Sequence, residues 1–205
     1  MRRAALGLGG LVLVAGLSPW ADRAADRSLV FHMVQNLALT MAAAPLLVFG
    51  AARYVERSKR QLGRPLHPAI AWSLFVGGQW ALHLSGMYVF AADHPAAHLL
   101  EHAADLVTAA LFWWFAVGAS RRLTPVGRIV YVTLAMPALG AIGFVLDASS
   151  SVLYPGYATL AEQHAAGSLM WAAGGLLMVA ALVLSAWEAL RDEERRALAR
   201  EAYGR

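Results

Sequence analysis

Residues 93–105 have the sequence DHPAAHLLEHAAD and continue directly into the apolar run LVTAALFWWF at 106–115. An α-helix turns by about 100° per residue, so five polar side chains of this stretch fall within an arc of roughly 100° on one face. Pro95 suits the first turn of such a helix, where its missing N–H costs nothing. Ionisable groups that lead into so apolar a segment are expensive in a membrane and indicate a functional site. The five side chains are His94, His98, Glu101, His102 and Asp105.

The composition predicts a membrane protein. Of 205 residues, 59% are hydrophobic and 15% are charged, whereas soluble domains carry about 25% charged residues. The formal net charge is +4, but the basic residues lie in short clusters without interleaved aromatics, so no nucleic-acid partner is expected. The sequence has no cysteine, which excludes disulfides, thiolate metal sites and iron–sulfur clusters. A metal site would therefore use histidine, methionine, carboxylate or backbone ligands.

Six apolar runs predict an all-α, polytopic transmembrane helix bundle that fills residues 1–205 as a single domain. A span needs about 20 apolar residues. The first run is short and resembles a cleavable secretory signal, but its retention as a helix places both ends of the chain on one side. Residues 188–205 are predicted to form a cytoplasmic helical tail. The six runs cover about residues 4–20, 29–50, 68–92, 95–118, 125–146 and 165–187.

The distribution of basic residues orients these spans. With a cytoplasmic N-terminus, 15 of the 17 lysines and arginines fall in cytoplasmic segments, and only Arg23 and Arg27 lie outside. This asymmetry follows the positive-inside rule. We therefore expect six spans with both termini cytoplasmic, in a multi-pass protein of the plasma (inner) membrane that contacts lipid.

The histidines concentrate near the outer leaflet in this topology. Four of them lie at similar depth on three predicted helices: His32, His83, His98 and His102. Imidazole without thiolate suits copper, zinc or haem iron, and thioethers nearby, as at Met33 and Met87, favour Cu(I). The four histidines are therefore predicted metal ligands, with hydrogen-bonded packing as the alternative.

Other polar residues near these histidines are candidates for accessory roles. Glu101 and Asp105 could orient the ring N–H of a ligand histidine, or they could pair with each other or with His102. His94 and His164 lie at the predicted interface, where packing is the more common role of a histidine. His67 precedes Pro68 and is expected to cap a helix. A close helix-packing face is also predicted, formed by Gly167, Trp171, Gly174 and Gly175.

The chain contains several sequence motifs whose order and spacing are known from one protein family. They are HMVQNLAL at 32–39, APLLVFGA at 44–51, WALHLSGMY at 80–88, HPAAHLLEH at 94–102, FWW at 112–114, YPGY at 154–157, and Gln163 with AGSLMW at 166–171. In this order they resemble the CtaG family of cytochrome c oxidase assembly factors. The resemblance extends over residues 29–187.

The resemblance implies a bacterial inner-membrane protein, not an enzyme, that handles or delivers copper while haem–copper oxidases mature. The implied partner is the catalytic subunit of cytochrome c oxidase, and a homo-oligomer is left open. The family usually has a second histidine where this chain has Asn36, and often a seventh span, so we expect a divergent member with weaker or altered metal specificity. Around the four histidines, the accessory residues are Asn36, Met33, Met87, His94, Glu101, Asp105, Gln163 and His164.

A b-type haem electron carrier in the membrane is the alternative function. Bis-histidine ligation needs two imidazoles that face each other from different helices at one depth. His83 with His98 or His102 could supply them. A proton or ion conduit is disfavoured, because the last two predicted helices lack interior ionisable groups below the outer leaflet. A Soret absorption band would separate the haem hypothesis from the copper hypothesis.

Overall fold

The computed structural model describes residues 1–58, 66–84, 90, 94–117, 120, 122–155 and 158–203. All regular structure within these ranges is helical, which confirms the predicted all-α class. The elements are α1 (Arg2–Gly16), α2 (Pro19–Ala25), α3 (Leu29–Leu37), a π-helical segment (Ala38–Ala43), α4 (Ala44–Ser58), α5 (Pro68–Leu84), α6 (Pro95–Ala116), α7 (Pro125–Ala148) and α8 (Leu160–Tyr203).

Local sequence signals account for where several helices begin. Helices α2, α5, α6 and α7 each start with a proline, which has no N–H to leave unpaired in the first turn. The hydroxyls of Ser18 and Thr124 accept hydrogen bonds from the backbone N–H three residues later and so cap α2 and α7. His67 has the predicted capping role, because the Ala69 N–H donates to its Nδ1 at 3.2 Å.

Three helical segments of the described chain are long and apolar enough to cross a membrane. The bent pair of α1 and α2 passes the same test as one broken span, with 55° between its halves. Helices α5 and α6, at the predicted spans 68–92 and 95–118, are not among these segments, and the first of the two spans extends well beyond the described residues, so the count of six stays a prediction. The three segments are Leu29–Ala52, Pro125–Ala148 and Leu160–Ala202.

Two predicted boundaries differ from the structure. The first run, 4–20, is broken between α1 and α2, because Ser18 caps a new helix that begins at Pro19. The sixth run and the predicted tail form one helix, α8, of 44 residues. At 1.5 Å per residue this helix is about 66 Å long, roughly twice the 30 Å hydrocarbon core of a bilayer, so a tail outside the membrane is compatible with its length.

Helices α7 and α8 pack with their backbones in close approach. A Cβ atom on Gly143 would lie 2.7 Å from the Gly167 carbonyl oxygen, and one on Gly167 would lie 2.5 Å from the Gly143 oxygen. Small residues permit such contacts between helices, and the predicted packing role of Gly167 is confirmed. Gly174 faces Leu37, whereas a Cβ at Gly175 would meet no described atom within 4 Å.

Helix α1 packs along α4 and the π-helical segment. Glycines again allow the approach, since a Cβ on Gly9 would lie 3.0 Å from Leu46 and Leu47, and one on Gly50 would lie 2.5 Å from Leu6. This packing fixes the end of α1, and α2 turns from there toward α3, which it contacts.

The first turns of helix α6 present leucines outward and polar residues inward. Leu99 and Leu100 are 70% and 69% exposed, whereas Glu101, His102 and Asp105 are less than 9% exposed. In water the opposite arrangement is expected. Lipid around the bundle explains this pattern, because ionisable groups in a membrane face the protein interior.

Candidate functional site

The predicted histidine pair on α6 lies beside a carboxylate from α2. The ring centroids of His98 and His102 are 4.5 Å apart, and Asp22 Oδ1 lies 3.9 Å from His102 Nε2. One ligand atom from each of the three residues lies within 4.8 Å of the other two. Two atoms that bind one ion at about 2.1 Å are at most about 4.2 Å apart, so a small side-chain adjustment would let these residues share a metal ion.

His32 reaches the same region from α3. Its ring centroid is 6.4 Å from that of His102, with 20° between the ring planes, and its Nε2 lies 3.8 Å from Glu101 Oε1. His32 interacts electrostatically with all three of the other predicted ligands. The structure therefore brings the four histidines into one region between α3, α5 and α6.

The ring orientation of His83 is fixed by its own helix. Its Nδ1 lies 2.8 Å from the Gln79 carbonyl oxygen. Because a carbonyl can only accept, Nδ1 carries the hydrogen and Nε2 presents a lone pair, which is the form that binds metals. Nε2 of His83, like Nε2 of His98 and His102, is buried without a hydrogen-bond partner in the described part of the chain. A metal ion is one partner that would remove the cost of this burial, about 1–3 kcal/mol per group.

Two amides hold the carboxylate of Asp105. Asn36 Nδ2 donates to Asp105 Oδ2 at 2.8 Å, and Gln79 Nε2 donates to Oδ1 at 2.7 Å. All three side chains are buried. Asn36, a predicted accessory residue, thus donates to a carboxylate. Each oxygen of Asp105 accepts one amide hydrogen, so this carboxylate connects α6 to α3 and to α5.

Gln35 connects the bend between α1 and α2 to the site. Its Nε2 donates to the Gly16 carbonyl oxygen and to Asp22 Oδ1, each at 2.8 Å. Gly16 is the last residue of α1, where carbonyl groups lack partners within the helix. One buried amide therefore both stabilises the bend and holds the Asp22 carboxylate beside α6.

Tyr154, in the loop between α7 and α8, bonds the backbone of one of the predicted ligands. Its hydroxyl donates to the His83 carbonyl oxygen at 2.7 Å. Burial, and secondarily the nearby Glu101 carboxylate, raise the pKa of Tyr154 above its usual value. The hydroxyl therefore remains a donor at neutral pH, and it bonds the backbone at the C-terminal end of α5.

Gln163, one of the predicted accessory residues, organises the loop that carries Tyr154. The Leu153 N–H donates to Gln163 Oε1 at 2.7 Å, and Nε2 donates to the carbonyl oxygens of Leu146 and Ser151, each at 3.2 Å. The side chain is fully buried. Its contacts are with backbone groups of α7 and the loop, so it positions Tyr154 indirectly.

Glu162 caps a distant helix. Its Oε1 accepts hydrogen bonds from Ser28 Oγ at 2.7 Å and from the Leu29 N–H at 3.0 Å. A carboxylate at a helix N-terminus pairs an otherwise unpaired N–H and interacts favourably with the helix dipole. The helix is α3, so Glu162 fixes the start of the element that carries His32.

The chain matches, over residues 1–192, a family model described as cytochrome c oxidase caa3 assembly factor. The chain belongs to the Caa3_CtaG family. No curated protein and no solved structure gives a significant match. The match confirms the family that the motifs predicted. It also includes α1 and α2, which precede the stretch of the predicted resemblance, and its description indicates a role in cytochrome c oxidase assembly.

In this Caa3_CtaG protein, the remaining predicted accessory residues lie elsewhere. His94 Nδ1 is 2.8 Å from the Phe90 carbonyl oxygen, and the two rings stack with centroids 4.1 Å apart. His164 Nε2 is 2.9 Å from the Ser149 carbonyl oxygen. Met33 is fully buried in an apolar cluster of α3, α7 and α8. Met87 lies outside the described residues.

Sequence reasoning did not select four residues that shape the site of this Caa3_CtaG protein. Gln79 had a signal, since it is a polar residue in an apolar run and lies one turn before His83. Tyr154 belongs to one of the family motifs. Gln35 belongs to another of these motifs, HMVQNLAL at 32–39. Asp22 had only the helix-start signal of Ser18 and Pro19 nearby, which marks a break but gives no direction.

Proposed function

We propose that this protein is a membrane assembly factor for haem–copper cytochrome c oxidase, and that copper is the cargo it handles. The family match supports the role in oxidase assembly. The observation that supports copper is the convergence of four imidazoles, three of which have a buried Nε2 without a partner in the described residues. Imidazole donors in the absence of cysteine suit copper.

The surroundings of the histidines favour a site that can release its ion. Glu101, 3.8 Å from His32, supplies a carboxylate that can orient the ring or offset cationic charge. Asp105 accepts hydrogen bonds from Asn36 and Gln79, which hold its carboxylate toward α3 and α5. A set of neutral imidazoles without thiolate binds copper less tightly than a closed thiolate site, which suits a protein that passes the ion on.

The membrane arrangement proposed with this function has six spans and cytoplasmic termini. The histidine site then lies in the outer leaflet of a bacterial plasma membrane, and Asp22 lies at its outer edge. The partner is the catalytic subunit of the oxidase, which would meet this protein within the lipid. The half-exposed or exposed leucines and valines along α1, α7 and α8 fit contact with lipid.

Copper binding by the purified full-length protein tests the proposal. His98→Ala combined with His102→Ala should lower the copper that co-purifies after copper loading to the background of the buffer. His94→Ala combined with His164→Ala is the matched control, because each of these rings bonds a backbone carbonyl oxygen, that of Phe90 or of Ser149. The control should retain the copper of the unaltered protein. Equal copper in both double variants would contradict the proposed site.

The same preparation distinguishes copper from haem. A Soret band in the purified protein would favour the b-type haem alternative, with His83 and either His98 or His102 as axial ligands. Its absence would remove that alternative. In cells, the His98→Ala and His102→Ala variant should lower the copper content of the oxidase, whereas the control variant should not.

A further inference from the structure

Asp22 lies between solvent and the buried histidines. Its side chain is 41% exposed, whereas that of His102 is 9% exposed. It comes from α2, while both nearby imidazoles come from α6. Of these groups the Asp22 carboxylate is far more accessible to solvent than His32 or His83, which are 4% and 3% exposed.

The side chains of Asp22 and His102 are close enough for an ion pair but too far apart for a hydrogen bond. Their nearest atoms are 3.9 Å apart, beyond the roughly 2.7–3.2 Å of a hydrogen bond. The distance of 3.9 Å falls within the spacing of about 4 Å that two ligand atoms of a single ion reach. His98 Nε2 and His102 Nε2 are buried without partners in the described ranges, so two donor nitrogens are ready beside the carboxylate.

Gln35 holds Asp22 in this place without consuming its donor capacity. A carboxylate has about four lone-pair positions, and the bond from Gln35 uses one of them at Oδ1. The second hydrogen of the same amide group goes to the Gly16 carbonyl oxygen. The carboxylate is thereby oriented by α3 and by the end of α1, with lone pairs left for a metal ion.

We propose that Asp22, His98 and His102 form an outward-facing site that takes up a divalent copper ion, with Gln35 as the residue that positions Asp22. This inference rests on the proposed function and identifies the point at which the cargo enters. One carboxylate and two imidazoles make a harder donor set than imidazoles with thioethers, and such a set favours Cu²⁺ over Cu⁺. The inner histidines, His32 and His83, lie behind this entry site.

The test is Cu²⁺ affinity of the full-length protein with Asp22→Asn, measured by competition with a chelator. Asparagine retains an oxygen that can accept from Gln35, but it removes the charge and the strong metal ligand. We expect Cu²⁺ affinity to fall by at least about tenfold. Cu⁺ affinity, which depends on the imidazoles, should remain within about twofold. Asp26→Asn, at the exposed end of α2, is the matched control for lost surface charge.

Electron paramagnetic resonance of the Cu²⁺ form separates a ligand from a positioning residue. Asp22→Asn should change the copper hyperfine splitting, because one coordinating oxygen is replaced. Gln35→Leu should weaken Cu²⁺ binding by about tenfold and leave the spectrum of the bound ion unchanged, because the ligands remain the same.

Three outcomes would overturn the inference. The first is a Cu²⁺ affinity and spectrum of Asp22→Asn that match those of the unaltered protein. The second is a loss of Cu²⁺ affinity in Asp26→Asn as large as that in Asp22→Asn. The third is a loss of Cu⁺ affinity in Asp22→Asn as large as its loss of Cu²⁺ affinity. In each case the proposed function stands if His98→Ala with His102→Ala abolishes copper binding. If the unaltered protein binds neither Cu⁺ nor Cu²⁺, the proposed function itself is refuted.

Discussion

The close contact of α7 and α8 at Gly167 gives a sharp stability prediction. A methyl group at this position would lie 2.5 Å from two backbone atoms, the Gly143 oxygen and the Asp147 nitrogen, and 2.9 Å from Leu146 Cβ. Favourable contacts between carbon atoms lie at about 3.5–4.0 Å. Since backbone atoms cannot rotate away, Gly167→Ala must push the two helices apart.

The expected cost follows from two opposing effects. Overpacking of this kind destabilises proteins by about 1–3 kcal/mol, whereas alanine is favoured over glycine in a helix by about 1 kcal/mol. Gly175→Ala has the same propensity gain on the same helix, but its Cβ would meet no described atom within 4 Å. Gly167→Ala should therefore be less stable than Gly175→Ala by about 1–3 kcal/mol.

Thermal unfolding of both full-length variants in one detergent measures this difference. In soluble chains of this length, 1 kcal/mol corresponds to about 2–4 °C in Tm, so the difference should be readily detected. Because Gln163 lies one turn before Gly167, the same displacement should loosen the loop that carries Tyr154. If Gly167→Ala melts at or above the temperature of Gly175→Ala, the close approach of the helices is refuted.

Two further predictions concern the start of α3 and the membrane topology. Glu162→Ala should destabilise the protein by about 1–2 kcal/mol, because the N-terminal cap of α3 is lost. Glu193→Ala, in the exposed part of α8, is the control and should have little effect. Equal melting temperatures of the two variants would contradict the capping role. Green fluorescent protein fused after Arg205 should fluoresce, and alkaline phosphatase fused at the same position should be inactive. Both results are expected because the C-terminus is predicted to lie in the cytoplasm. Phosphatase activity at that end would contradict the proposed orientation.

The polar face of α6 could be predicted because it is a local property. Once residues 95–116 form a helix, the spacing of 3.6 residues per turn fixes which side chains share a face. His98, Glu101, His102 and Asp105 consequently point to the same side, and Glu101, His102 and Asp105 are buried. The apolar run that follows identifies the surroundings as a membrane or bundle interior. Neither conclusion requires knowledge of another helix.

Partners from other helices could not be predicted in the same way. Glu162 and Leu29 are 133 residues apart in sequence, and their hydrogen bond depends on how α8 packs against α3. Asp22 reaches His102 only because the chain bends by 55° between α1 and α2 and Gln35 holds the bend. Ser18 and Pro19 indicate that a helix begins there, but the direction of the bend is set by tertiary contacts.

The polar side chains of the site form two layers, and the second layer explains what Asn36 contributes. Asp105 joins α3, α5 and α6, because it accepts one bond from Asn36 and another from Gln79. Each of these three residues lies about one helical turn from a predicted ligand on its own helix. Those ligands are His32 on α3, His83 on α5 and His102 on α6.

A bond network that fixes three helices at one level also fixes the relative depth of the histidines one turn away. An imidazole at position 36 would add a ligand, but the amide instead donates to the buried carboxylate of Asp105. Without this donor, the unsatisfied carboxylate oxygen would cost about 1–3 kcal/mol. The asparagine therefore contributes to the geometry of the site rather than to its donor count. If copper is the cargo, the preformed arrangement lowers the ordering cost of binding, whereas the smaller number of ligands favours release of the ion over tight retention.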